Sequence, residues 1–255
     1  MPNSEKSDIV KSIGRAVEVL KALSSNYKKI SDIAPALNLS HSTVHRLLHS
    51  LKEAGLVAQD PVHHEYYLGN LFGQLASNPV MTHQYLIYCA YQKMEYLRQR
   101  VGETVSLYIK VGVQRYRLES LMGSHNLTFV DRPTLADRIW IGAAGKALLS
   151  QMKKKDFEIL LDYIELEPLT VNTIIDKNLF KKEIEKVREL GYATSRGETD
   201  IGVAGIAVPI PRYQEPACIT ITGPEDRLVP HFPDLVPDLK NKTEEISHDL
   251  LKLKK

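Results

Sequence analysis

The chain has 255 residues, 43% of them apolar and 25% charged, which suits one or two globular domains and excludes disorder, collagen and coiled coil as overall descriptions. Its formal net charge is only +2, carried by residues 1–60, so any basic surface belongs to the N-terminus. Two distant cysteines, Cys89 and Cys218, a polar opening segment and no apolar run long enough for a membrane helix leave a soluble cytoplasmic protein with no disulfide framework and no membrane partner as the expectation.

From Ser12, the residues Ile13, Ala16, Val17, Leu20 and Leu23 recur on one stripe and predict a helix that Ser24-Ser25-Asn26 ends. Ser31 is the expected N-cap of a second, short helix with Ile33, Ala34 and Leu37 inward, stopping near Asn38. Ser40 is placed to cap a third, in which Val44, Leu47, Leu48 and Leu51 follow the helical period. Its outward positions are His41, Ser42, Thr43, His45, Arg46, His49, Ser50 and Lys52, nearly all hydrogen-bond donors. Short helix, tight turn and donor-rich helix is the arrangement that seats a recognition helix in a DNA major groove; a plain helical hairpin with a solvated face has the same pattern.

Leu56–Gln59 and Glu65–Leu68 then read as two strands around the loop Asp60–His64, turning the helix pair into a winged helix. His63 and His64, at the tip, can donate to phosphates, more strongly when protonated. Adjacent histidines also raise a metal site, but no acid or histidine stands at ligand spacing, and no metal is expected.

These residues resemble a known family. SIGRAVEVLKAL, then ISDIAPALNLSHSTVHRLLHSLKEAGLVAQD, then YYLG are similar to the N-terminal domain of the IclR family of bacterial transcription regulators, most specifically from Leu39 to Leu48. The resemblance implies that Ser40, His41, Ser42, Thr43, His45, Arg46, His49, His63 and His64 face DNA.

Beyond Leu71–Ala76, a brief helix, Asn78-Pro79 punctuates the chain before a helix expected from Val80 to Arg100. Leu86, Ala90, Met94, Leu97 and Val101 line one side of it; Tyr85, Tyr88, Tyr91 and Tyr96 are core or dimer contact. Period-two runs predict strands at Thr104–Lys110, Gln114–Leu121 and Leu127–Val130. Helices follow at Ala143–Met152, Lys155–Ile164 and Leu179–Leu190, the last stopped by Gly191. Strands return at Gly205–Ile210 and Ala217–Thr222, with Gly223-Pro224 as the break, and Pro237 is expected to open a final helix to Leu253. The fold class is therefore α+β: an arm at 1–11, a winged helix-turn-helix at 12–70, a linker at 71–79 and an effector-binding domain at 80–255 with room for a ligand cavity.

GETVSLYIKVG, GAAGKALLSQM, ELGYATS and IGVAGIAVPI through ACITITGP extend the resemblance over this second domain. It implies a GAF-like domain for a small, often anionic metabolite, in homodimers or dimers of dimers. Matching ligand-lining positions are Asn126 and Leu127 on a strand, Ala143 and Ala144 at a helix start, Ser195 on a loop, Val203 and Gly205, and Thr220 and Thr222. Trp140 stands where histidine is frequent, which points to an organic acid with an aromatic part. Independently, free N–H groups at Ala143 and Ala144 would favour a carboxylate, and Thr220 and Thr222 would project the same way; simple core packing explains such threonines as well.

Gly142–Ala147 looks like a phosphate loop, yet its first glycine would fall at Trp140 and its Ser/Thr is Ala147. No hydrolase elbow or zinc-protease motif occurs, and Asp131, Asp137 and Arg138 as an acid/base group are better read as solvated charges. No catalytic residue and no cofactor is expected. A ligand-responsive regulator on operator DNA is the leading reading. A metabolite-binding enzyme or sensor with a protein-binding winged helix, and a DNA-binding protein with a purely structural second domain, are the alternatives.

Overall fold

The computed structural model describes residues 11–76, 78–130 and 136–253; the expected arm lies outside them except for Lys11, which opens the first helix. The chain divides into two units, one ending at Met81 and the other starting at Thr82.

In the first unit, α1 (Lys11–Ser24), α2 (Ile30–Ala36) and α3 (His41–Glu53) close around Val19, Ile33, Val44 and Leu48, all fully buried. Each such side chain contributes roughly 1.5–3 kcal/mol on leaving water. The hairpin β1 (Val57–Gln59) and β2 (Tyr66–Leu68), paired at Ala58↔Tyr67, seals this core with Val57 and Tyr66. Gly69 closes the hairpin because a Cβ there would lie 2.2 Å from the Gly55 carbonyl oxygen. Ser31 is not the cap of α2: the helix starts two residues earlier, Lys29 occupies the cap position, and the Ser31 hydroxyl turns to Asp32. Ile30, packed on the core, sets that earlier start.

After α4 (Asn70–Ala76) and α5 (Pro79–Thr82), the expected continuous linker helix is interrupted at His83, which has φ −117° and ψ 24°. Its ring is held at Tyr213, with Nδ1 and the phenol oxygen 2.7 Å apart, and α6 (Gln84–Val101) begins beyond it. Leu86, Ala90, Met94 and Leu97 are buried, whereas Tyr85, Tyr88, Tyr91 and Tyr96 are exposed, which removes the tyrosines from the core.

The second unit is built on an antiparallel sheet of β3 (Thr104–Val111), β4 (Gln114–Leu121), β5 (Ala136–Arg138), β6 (Ala193–Arg196), β7 (Val203–Pro209) and β8 (Ala217–Pro224), ordered β5-β4-β3-β8-β7-β6. One face is aliphatic, with Val105, Leu107, Ile109, Ile206, Ile219 and Ile221 buried against α6 and α11 (Phe232–Leu253). The other receives α7 (Gly142–Ser150), backed by α8 (Lys154–Tyr163) and α9 (Lys177–Leu190). A short α10 (Glu225–Leu228) and a 3₁₀ turn, Val229–His231, lead into α11.

Four expectations are corrected. Leu127–Val130 is irregular, because Arg227 takes the Leu127 carbonyl and the Thr104 hydroxyl takes that of Phe129; the neighbour of β4 is β5. Ser195 lies on a strand, β6, too short to show a periodic signal. β8 runs through Gly223 and Pro224, where the missing side chain leaves space for the Glu103 carboxylate. α11 starts five residues before Pro237, with Phe232 and Leu235 anchoring its first turn in the core.

Lys146 is fully buried inside this unit, its Nζ 2.7 Å from Glu198 and 3.7 Å from Glu183. Burial pushes the Glu198 carboxyl up, against the pull of Lys146. The lysine that makes the segment resemble a phosphate loop thus ties α7 to the β6–β7 loop and α9. Lys146→Met leaves both carboxylates without their buried cation and is expected to cost about 3–5 kcal/mol in denaturant unfolding.

Candidate nucleic-acid interface and effector site

The Ser40 hydroxyl accepts the Thr43 N–H at 3.2 Å, which starts α3 where the sequence placed it. With Val44, Leu48 and Leu51 buried, His41, Ser42, His45, Arg46, His49, Ser50 and Lys52 are exposed and Thr43 is half-buried. Asn38, in the left-handed region at φ 52°, makes the tight turn that swings α3 away from α2. The wing is more ordered than its composition suggests. Asp60 Oδ1 accepts the Val62 N–H and Oδ2 the His63 N–H, while His63 Nδ1 lies 2.6 Å from Oδ2. These bonds, led by Val62, hold the Asp60 carboxyl below its ordinary range. Because Nδ1–H is committed to Asp60, Nε2 of His63 donates to a phosphate only from the imidazolium form. His64 stands beside it at φ 57°.

In the second unit, strand register brings several expected effector positions into one row: Ser195↔Gly205, Gly205↔Thr222 and Thr222↔Thr104. Two residues along, Ala207↔Thr220 and Thr220↔Ser106 form a second row on the same face. The N-terminus of α7 meets this face. A Cβ on Gly205 would stand 3.1 Å from Ser195 Oγ and 3.5 Å from the Ala143 Cβ, and the Cys218 thiol donates to the Ala144 carbonyl at 3.7 Å. Ile141 at the N-cap position supplies no side-chain acceptor to the first turn of α7. Val203 is half-buried at the start of β7, opposite Pro224.

Trp140, half-buried against the core cluster, has the Arg138 guanidinium 5.8 Å from its ring centre and a buried indole N–H without a hydrogen-bond partner among the described residues. Asn126 and Leu127 sit in an exposed bend instead of a strand and are not brought to the row by their side chains. Their loop is tied to it through Thr104, which donates to Phe129 O and accepts from Gly123 N. Thr104 and Ser106, buried hydroxyls on β3, were missed; two apart on a strand opposite Thr222 and Thr220, they show only once the register is known. Asp131 lies outside the described residues, and Asp137 pairs with Arg115. Among the described residues no group of three or more potential ligands is placed to hold a metal ion, and no helix is long and apolar enough to cross a membrane.

A winged helix with a donor-rich outer helix, joined in one chain to a separate α+β sheet domain, has the architecture of a DNA-binding regulator. Residues 12–61 match the IclR helix-turn-helix domain and residues 79–248 the C-terminal domain of the bacterial transcriptional regulator IclR. The chain belongs to the IclR family: it is a transcriptional regulator with an effector-binding C-terminal domain, not an enzyme. The repressor AllR of Escherichia coli K12 is 30% identical over 84% of this chain and 80% of its own, and the regulator XynR of the same strain 27% over 79% and 81%. The crystal structure of Thermotoga maritima IclR superposes with a TM-score of 0.63 at 27% identity, covering 95% of this chain and 99% of that one. An IclR homologue from Microbacterium hydrocarbonoxydans, solved with 4-hydroxybenzoate, shares the fold at a TM-score of 0.60 and 22% identity, covering 94% and 99%.

The cap that starts α3 is exposed and separable from the rest. Ser40→Ala is expected to destabilise the first unit by about 1 kcal/mol in guanidinium unfolding, with Ser40→Gly closer to the parent.

Proposed function

We propose that this regulator binds a pseudo-palindromic operator as a homodimer or dimer of dimers, and that a small carboxylate-bearing metabolite changes its affinity for that DNA. The observation that carries the reading is the outer face of α3, where Ser42, Arg46 and the histidines stand exposed with the apolar side sealed beneath. Ser40, His41, Ser42, Thr43, His45, Arg46 and His49 would meet the major groove, and His63 and His64 the backbone beside it. Arg46 is the strongest specificity candidate, since a guanidinium grips guanine O6 and N7 and stays charged. The exposed tyrosines of α6 supply an aromatic surface suited to a second copy.

The effector reading rests on the α7 first turn facing the Ser195–Gly205–Thr222 row, with Ala143, Ala144, Val203 and Thr220 around it and Trp140, Asn126 and Leu127 at the margins. Helix N–H groups favour a carboxylate, hydroxyls fix its orientation, and an aromatic ring beyond would find Trp140. That the same fold in a Microbacterium relative holds 4-hydroxybenzoate supports this class of ligand. An effector shifts DNA binding only by preferring one of two arrangements of the protein, and α6, starting at the His83 break, is the segment through which such a preference reaches the DNA-binding unit. The regulator acts where the DNA is, in the cytoplasm.

Fluorescence anisotropy on DNA from upstream of the gene, against scrambled DNA, tests the first part. If Arg46 reads a guanine, Arg46→Ala is expected to cost about 1–3 kcal/mol on the cognate duplex and little on the scrambled one. Equal affinities of parent and variant on both duplexes would take Arg46 out of the interface. For the second part, carboxylates that raise the parent's melting temperature, screened with 4-hydroxybenzoate among them, are expected to lose that effect in Gly205→Leu, whose side chain fills the space against Ser195 and Ala143.

A further inference from the structure

Five of the nine histidines in the chain fall within residues 41–64, and the structure arranges them. His41, His45 and His49 are four residues apart on α3, so each stands about 40° round and about 6 Å along from the one before. All three are exposed on one flank of the helix. Lys52, about three turns from His41, returns to the same line. Its Nζ reaches Gln59 Oε1 at 3.4 Å, and Gln59 Nε2 reaches the His64 carbonyl at 3.4 Å, so the line leads into the wing and its two histidines.

Most carboxylates on the elements around this band are engaged elsewhere, and Glu53, four residues beyond His49 on the same flank, is the negative charge at its end. On α1, Glu18 is paired with Lys21; on α2, Asp32 accepts from Ser31; in the hairpin, Asp60 is engaged by His63 and Glu65 by Lys29 and Tyr67. On α3 itself the charged neighbours are Arg46, Lys52 and Glu53. None of the described carboxylates forms an ion pair with His41, His45 or His49. Lys11–Gly69 holds seven lysines and arginines, five carboxylates and five histidines, so full protonation turns an excess of two positive charges into seven.

Resting on the assignment of α3 as the DNA-facing helix, we infer that DNA binding by this regulator is coupled to proton uptake: His41, His45 and His49, exposed on one flank of α3, contact phosphates as imidazolium cations. The sign follows from linkage. A phosphate beside an imidazole favours its charged form, so DNA-bound protein holds more protons than free protein and affinity rises with acidity. Each added cation on phosphate also releases counterions and steepens the salt dependence by about 0.9 per contact. The pH therefore sets the share of the affinity that is independent of base sequence.

The test uses the full chain and labelled scrambled and upstream duplexes, titrated against salt at about pH 6 and about pH 8, which bracket the imidazole range. For the parent, the salt slope at the lower pH is expected to be steeper by about 2, with affinity higher by on the order of 10- to 100-fold. His41→Gln/His45→Gln/His49→Gln, with an unchanged circular dichroism spectrum, is expected to lose most of that difference. Where the triple variant binds too weakly to titrate, each single variant must lower the slope difference measurably. Equal slopes at both pH values in the parent, or a full pH difference surviving in these variants, overturns the inference. Absence of salt-dependent binding at either pH overturns the assignment of α3 itself.

Discussion

The second unit is shaped by a conflict within its central strands. β3 and β8 are buried on both faces, yet only one face is aliphatic; the other carries Thr104, Ser106, Cys218, Thr220 and Thr222. Hydroxyls taken from water need partners, or each costs a large part of a hydrogen bond. The aliphatic face accepts the long helices α6 and α11. The hydroxyl face accepts a short helix whose first turn is Gly142-Ala143-Ala144-Gly145, small enough to bring backbone groups onto the strands. There Ser106 bonds Ser120, Cys218 bonds Ala144, and Thr104 ties down the loop carrying Asn126 and Leu127.

Buried charge reinforces the same arrangement. Lys146 projects from α7 and draws in Glu198 from the β6–β7 loop and Glu183 from α9, so one cation ties three segments together. At the far end of the sheet Glu103, also buried, takes Arg227, which in turn holds the Leu127 carbonyl. Such pairs are poor sources of net stability but strict about geometry, since a partner moved away leaves a charge uncompensated in the interior. These pairs fix the course of the β6–β7 loop and of the loop carrying Leu127.

The first unit follows simpler rules, and more of it was legible. Val44, Leu48 and Leu51 recur at the helical period, so the core face of α3, its opposite donor-rich face and its Ser40 cap all follow from spacing. The hairpin followed from its turn residues and alternating strands. Ser31 misled because a serine near a helix start is a cap only if the chain enters there, and the packing of Ile30 on the core moved that entrance by two residues. In the second unit, strands of eight residues such as β3 and β4 were legible, whereas β5 and β6, of three and four, carry too few residues for a period to emerge. Pro237 misled for a related reason: anchorage of Phe232 and Leu235 outweighed its preference for a first turn.

By itself the sequence determined the class of each unit, the family, and the face of α3 turned outward, because periodicity and caps are local and act through nearest neighbours along the chain. It did not determine that Ser195, Gly205, Thr222 and Thr104 share one row, that Lys146 meets Glu198 and Glu183, or that His83 breaks the linker helix at Tyr213. Those depend on strand register and on pairings between residues far apart in the chain. Only the tertiary structure decides them, because burial chooses, among many polar groups of similar chemistry, the few whose partners arrive at bonding distance.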